Sequence, residues 1–407
     1  MFFLKKVGCR VFQGFFRLLM PFLPYREPEI LFSCDDLLMV LEKEKCQAVL
    51  VVSDATIIKN NLVAPILKVL KESRIKYVTY DKTSLNPTTN NVEDALKLYH
   101  QHHCNLIIAI GGGSPIDCAK AVGARVAYPK KSLNQLRGIL KVNRKIPPLI
   151  AIPTTAGTGS ETTLAAIITD SETRHKYALM SFPLIPRYAV LDPKFTYSLP
   201  AIMTATTGMD ALTHAVEVYI GRASTRETRK LAKEAIKLVF HNVEKAYQDG
   251  NEHQARANML HAAYKAGLAF SKSYVGYIHA IAHSLGGRYG TPHGLANAVI
   301  MPYVLKSYGK CINKKLYQLA LEVDIVAKGD SYEMGAKKFI KAIEELNTRM
   351  NIPRIITGIS EADIIEMARY AEKEANPLYP VPKLMTKEEL ARLYYQVGGL
   401  IYQGETK

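Results

Sequence analysis

Several familiar signatures are missing from this 407-residue chain. No apolar run reaches the roughly 18–20 residues that a membrane span needs. Six cysteines are present, at positions 9, 34, 46, 104, 118 and 311, and none forms a CxxC pair. That speaks against a zinc ribbon and a disulfide framework, and for a reduced, cytoplasmic compartment. There is no RNP motif, no finger spacing and no internal repeat. The formal net charge is +16, yet Lys and Arg are spread along the length rather than gathered in patches, so no nucleic-acid partner is expected. A generally basic soluble protein, or one drawn to an anionic cofactor or a membrane surface, both stay open.

What is present is a globular composition. Hydrophobic residues make up 48% of the chain, enough for a core, and the length predicts two domains. Three regions separate by pattern. Residues 1–27 form a basic amphipathic segment. Lys6, Arg10, Gln13 and Arg17 recur every three or four residues, with Phe12, Phe15, Phe16, Leu18 and Leu19 opposite. It is too short and too charged to span, it offers no small-residue cleavage site, and Pro21 and Pro24 end its helix. Its apolar stripe is expected to pack on the protein or a neighbouring subunit. The alternative is a weak in-plane contact with anionic lipid. Either way the segment is expected to be dispensable for chemistry.

Residues 28–198 alternate between strand and helix. "CQAVLVVSD", "IKYVTYD", "NLIIAIGGGS" and "PLIAIPTT" read as buried strands. "ATIIKNNLVAPILKVLKESR", "NVEDALKLYHQHH" and "PIDCAKAVGARVA" read as helices between them. Continuous apolar strands in such alternation predict a parallel sheet covered on both faces. Residues 199–407 carry helical periods throughout, with Ser224 and Glu227 as a capping-box pair. The expected fold is a Rossmann-like α/β domain followed by an all-α domain.

Two strand ends carry unusual loops. "IAIGGGSPID" turns from strand to helix through Gly111–Gly113 and Ser114, which reads as a pyrophosphate cradle or as a tight turn. The GxGxxG fingerprint is absent. "IAIPTTAGTGSE" leaves its strand into a loop rich in hydroxyls, with Thr154, Thr155 and Thr158 able to donate to phosphate or amide oxygens. Ligands bind at the carboxyl edge of a parallel sheet, so the pair points to a dinucleotide. Asp54 ends a third strand. It reads as an acceptor for both adenosine ribose hydroxyls, which would repel a 2′-phosphate, or as a helix N-cap.

The second half holds a histidine constellation. Asp210 and His214 stand four apart on one helix face, as do His279 and His283, and His293 follows in "GTPHGLANA". Oxygen and imidazole donors without thiolate suit Fe(II), Zn or Mn. Such a metal lowers the pKa of an alcohol or polarises a carbonyl, and with a dinucleotide the matching reaction is hydride transfer.

From about Cys46 onward the sequence resembles the iron-containing, or group III, alcohol dehydrogenase family. The resemblance rests on "AIGGGSPID", "PTTAGTGSE", "TGMDALTHAVE", "HAIAHSLGGRYGTPHGLANAV" and "ANPLYPVPKLMT". It implies a dehydroquinate synthase-like architecture, with the active site in the cleft between a dinucleotide domain and a helical domain, and a homodimer or larger assembly. It places a divalent metal, Fe(II) or else Zn, on Asp210, His214, His279 and His293, and a proton-relay role on His283. It places NAD(H) on Asp54, Asn86, Gly112, Gly113, Ser114, Thr154, Thr155, Thr158 and Lys176. Ser33 and Cys34 stand where the family commonly has a glycine, which leaves the first strand and its pairing open. The expected activity interconverts a small primary alcohol and its aldehyde. A glycerol dehydrogenase-like polyol oxidoreductase and a non-enzymatic membrane-surface scaffold are the rivals.

Overall fold

The computed structural model describes residues 2–402 and forms two compact units. The first, Pro24–Leu199, is built on a six-stranded parallel sheet. Its strands are β1 (Glu29–Leu31), β2 (Ala48–Val52), β3 (Lys76–Tyr80), β4 (Leu106–Gly111), β6 (Leu149–Pro153) and β9 (Tyr188–Val190), in the order β1-β9-β6-β4-β2-β3. Alternate residues of each strand feed separate cores. Leu50, Ile107 and Ala109 join one, and Val49, Val51 and Ile108 the other. A sheet buried on both faces needs the continuous apolar strands seen in the sequence. The short β1 pairs in parallel with β9 at the sheet edge. Ser33 caps the turn that follows it, accepting from Asp35.

Three local readings change. The long helix expected after β2 is two helices, Ala55–Lys59 and Ala64–Glu72, separated at Asn60 and Asn61, the latter left-handed with φ 55°. Asn is among the few residues that enter that region readily. A second sheet, in the order β5 (Gly138–Ile139), β8 (Lys176–Met180), β7 (Ala165–Thr169), lies outside the strand–helix alternation. Its antiparallel pair buries Ala166 and Ile168 but leaves Ile167 exposed, so no continuous apolar run marks it. Finally, the N-cap of the helix Arg226–Gln248 is Thr225, paired with Thr228. The Ser224 hydroxyl donates instead to the Gly221 carbonyl at 3.1 Å.

The second unit is helical and includes the N-terminal helix Phe2–Leu19. The apolar stripe of that helix does not pack on its own chain, the first of the expected partners. The middle of the helix's polar stripe faces the protein: Gln13 is buried and donates to the Pro377 and Tyr379 carbonyls, and Arg10 to those of Val381 and Pro382, while Arg17 is exposed. Phe12, Phe15, Leu18 and Leu19 are exposed, and the Phe16 side chain lies outside the described ones. The loop beneath is irregular and proline-rich, so its carbonyls need donors from elsewhere, and an amide and a guanidinium supply them.

Candidate active site

In the α/β unit, β4 lies between β2 and β6, all parallel. The chain leaves β2 toward β3 on one side and later returns through β4 toward β6 on the other, so the strand order reverses there. That is where open α/β sheets bind ligands. Gly112 follows β4 as the N-cap of the helix Gly113–Ala127. The Thr154 amide donates to the Gly111 carbonyl at 3.0 Å, holding the two loops together. A Cβ added at Gly112 would lie 3.5 Å from Thr155, and one at Gly113 would lie 3.4 Å from Thr158. A side chain at either position would thus occupy the space between the glycine turn and the threonine loop, in ordinary contact with the threonines.

Hydroxyls in these loops differ in what they do. Thr155 Oγ1 is buried and has no hydrogen-bond partner among the described residues. A buried polar atom left so is costly, and a ligand oxygen would satisfy it. Thr158 Oγ1 accepts from the Ser160 amide at 3.3 Å, while the Ser114 hydroxyl is tied to the Leu85 carbonyl. Asn86 and Lys176 meet, Nζ to Oδ1, at 2.8 Å. Burial lowers the Lys176 pKa. Asp54 caps the helix Ala55–Lys59, its Oδ1 accepting from Thr56 at 2.8 Å and Ile57 at 3.1 Å. Beneath the threonine loop the fully buried Lys120 donates to Ser160, Thr163 and the Ala165 carbonyl. Burial lowers its pKa to about 8 despite nearby Asp117.

In the helical unit, three helices meet. Ala201–Ile220 carries Asp210, His214 and Glu217; Tyr277–Tyr289 carries His279 and His283; His293–Tyr308 starts with His293 and carries Asn297. One ligand atom each of Asp210, His214, His279 and His293 lies within 4.8 Å of all the others. The first three are buried; the His293 side chain, 40% exposed, forms the open side. Close approach of backbone sets this up. A Cβ at Gly294 would sit 2.4 Å from the Thr206 carbonyl oxygen, so only glycine lets the His293 helix begin so near its neighbour.

Glu217 organises His279. It accepts the Gly276 amide at 2.7 Å, the Ile278 amide at 2.8 Å and His279 Nδ1 at 2.6 Å. Burial pushes its pKa up to about 8 against those donors. Because the two backbone amides, one on each oxygen, can only donate, we read the group as a carboxylate. The hydrogen bond puts the His279 proton on Nδ1, and Nε2 faces the cluster, buried and without a hydrogen-bond partner among the described residues. Burial, then His214, His293 and His283, hold His279 well below the ordinary histidine value. A neutral imidazole with an inward lone pair, beside a carboxylate and two more imidazoles, is a donor set that fits a divalent cation. Asn297 Nδ2 donates to Asp210 at 2.7 Å and steadies it.

His283 stands outside the group of four. Its Nδ1 meets Glu374 at 2.6 Å, and the Tyr379 hydroxyl donates to the same carboxylate oxygen at 2.7 Å. Burial opposes the imidazolium, but the charge and hydrogen bond of Glu374 outweigh it and raise the His283 pKa.

Glu217, Asn297 and Tyr379 lie within motifs that carry the family resemblance, but those motifs by themselves assign them no role, and Glu374 and Lys120 lie outside them. Glu217 left a further signal: it follows Asp210 and His214 on the same helix face, at i+7 and i+3.

Comparison with known proteins agrees with this geometry. Residues 29–193 match the family description "Iron-containing alcohol dehydrogenase", and residues 204–397 match "Fe-containing alcohol dehydrogenase family, C-terminal". A 1,3-propanediol dehydrogenase of Klebsiella pneumoniae is 37% identical over 363 residues, 87% of this chain and 93% of the relative. An NAD-dependent methanol dehydrogenase of Bacillus methanolicus is 33% identical over 346 residues, 84% of this chain and 90% of the relative. The crystal structure of a 1,3-propanediol oxidoreductase matches with a TM-score of 0.88 at 34% identity, covering 92% of this chain and 98% of that one. With both compact units accounted for in this way, the chain belongs to the iron-containing alcohol dehydrogenase family.

Proposed function

We propose that the protein is a metal-dependent NAD(H) alcohol dehydrogenase that interconverts a small primary alcohol and its aldehyde. The observation that carries this reading is the buried Asp210, His214, His279 and His293 group with its donor atoms inside 4.8 Å. The choice of small primary alcohols draws on the substrates named for the relatives. When bound, the cation supplies Lewis acidity for the alcohol oxygen and the nicotinamide supplies the hydride acceptor.

The residues divide the remaining work. Asp210, His214, His279 and His293 hold the cation, Glu217 sets the His279 tautomer and Asn297 orients Asp210. Oxidation of an alcohol releases a proton as well as a hydride. His283, exposed on one side and backed by Glu374, takes that proton and passes it to solvent. Tyr379 fixes the Glu374 carboxylate. On the α/β unit, Gly112, Gly113 and the free end of the following helix receive the pyrophosphate. Thr154, Thr155, Thr158, Ser114, Asn86 and Lys176 complete the dinucleotide site. Asp54 uses Oδ1 for its cap, and its second oxygen is assigned to the ribose. Assembly as a homodimer or larger follows the family. A cytoplasmic setting is supported by six cysteines, all free in the structure.

The test is an assay of purified protein with its metal content measured, following NADH oxidation against short aldehydes and dihydroxyacetone. Activity should follow bound metal and favour aldehydes. Turnover that survives complete metal removal, or metal-loaded protein inert with every carbonyl tested, would overturn the reading.

A further inference from the structure

The N-terminal helix is mounted the wrong way round for a surface bathed only in water. Its Gln13 amide and Arg10 guanidinium are spent on the loop 377–382, while its apolar side and Arg17 look outward. Val11 is 66% exposed, Phe15 61%, Leu18 72% and Phe22, just past the helix end, 85%. Together they make a continuous apolar strip on a helix roughly 27 Å long. Exposed strips of this kind mark interaction sites.

The surroundings of the strip are cationic. Residues 1–26 hold five Lys or Arg and no Asp or Glu. Beside the helix opens a cavity of about 630 Å³, with Lys6, Arg10 and Lys383 around apolar Val7, Val11 and Leu384. Lys383 is paired with Glu389 at 2.7 Å. Arg17 is exposed on the same helix as the strip, and burial and then Arg229, Arg222 and Arg17 bring the Lys315 pKa down to about 8. Positive charge therefore flanks the apolar strip. Two copies meeting through this face would set these cations against their own like. A bilayer with anionic headgroups offers both complements, phosphate to the cations and acyl chain to the strip. Among the described residues no helix is long and apolar enough to cross a membrane, so the contact is one of lying on the surface.

We propose that the helix Phe2–Leu19 is a docking face for anionic lipid, lying in the headgroup plane with Val11, Phe15, Leu18 and Phe22 toward the acyl chains and the flanking cations on lipid phosphate.

The test is co-sedimentation of the full-length protein with phosphatidylcholine vesicles, with and without phosphatidylglycerol, at low and raised salt. Wild type should bind the phosphatidylglycerol vesicles at least about tenfold better than the neutral ones, and salt should weaken that binding. Val11→Ser, Phe15→Ser and Leu18→Ser together should reduce binding to the neutral-vesicle level while NADH-linked turnover in solution stays unchanged. Arg17→Glu, which spares the strip, should lose about fivefold or more of the anionic preference. Equal binding to both vesicle types, or a triple variant that sediments like wild type, overturns the proposal. So does a triple variant whose oligomeric state falls, by light scattering, while its vesicle binding persists, because a second copy then covers the strip.

Discussion

Replacing Glu217 by Gln tests whether a single buried carboxylate sets the metal centre. Its Oε2 accepts from the Gly276 amide and His279 Nδ1, and its Oε1 accepts from the Ile278 amide. A carboxamide must turn its NH2 toward one side. Toward Gly276 and His279 it faces two donors and removes the partner that fixes the imidazole. Toward Ile278 it faces one donor, the cheaper choice, and leaves one buried amide unsatisfied at a cost of about 1–3 kcal/mol of stability. In that placement His279 keeps a neutral acceptor but loses the negative charge that makes its Nε2 a better ligand. Outer partners of metal-binding histidines are worth about 10–100-fold in metal affinity, or about 1.4–2.8 kcal/mol. Glu217→Gln should therefore melt earlier than wild type and release its cation to a competing chelator at about 10–100-fold lower chelator strength. Gly276→Ala should move affinity the same way, because its Cβ would fall 2.6 Å from Glu217 Oε1. A folded Glu217→Gln protein that holds its cation as tightly as wild type in that titration would sink the claim that Glu217 positions His279.

Three other outcomes follow from the same geometry. His279→Ala should lose the metal, whereas His283→Ala should keep it and turn over about 10²–10⁴-fold more slowly; metal analysis showing the reverse pattern would mean the two roles are exchanged. Asp54→Asn keeps an N-cap acceptor but removes the charge, so NADPH should become a usable cofactor with little change in melting temperature; wild type that already uses NADPH as well as NADH removes Asp54 from this role. Gln13→Ala deletes two hydrogen bonds to the loop that carries Tyr379, each worth about 0.5–1.5 kcal/mol. It should lower kcat a few-fold at full metal content, and unchanged kcat would return the N-terminal helix to being dispensable for chemistry.

Most of what the sequence made legible was periodic or concentrated. Strands such as β2 and β4 are apolar at every position because both faces are covered, and that pattern survives without any knowledge of tertiary structure. The hydroxyl loop and the histidines stand out because such residues are seldom gathered by packing needs alone. What stayed hidden depends on contacts distant in sequence. Glu374 is 91 residues from the histidine it holds, and nothing local distinguishes it from an exposed helix glutamate. The N-terminal helix shows the same limit in another form. Its stripe is plain in the sequence, but which side faces inward is decided by unsatisfied carbonyls more than 360 residues away. The break at Asn60 and Asn61 was within reach, since paired asparagines interrupt helices readily, but the apolar period on both sides masks it.

The helix Ala201–Ile220 also has the character of a phased shaft. At about 100° per residue, Asp210, His214 and Glu217 project within an arc of about 60°. One inserted residue between His214 and Glu217 would swing the carboxylate through about 100° and advance it about 1.5 Å, parting it from His279 while leaving Asp210 and His214 in place. One inserted before Asp210 would instead carry all three around together, away from His279 and His293. Length changes in this helix are thus tolerable only near whole turns, three or four residues at a time. Substitution has many routes through such an element, and insertion or deletion has almost none.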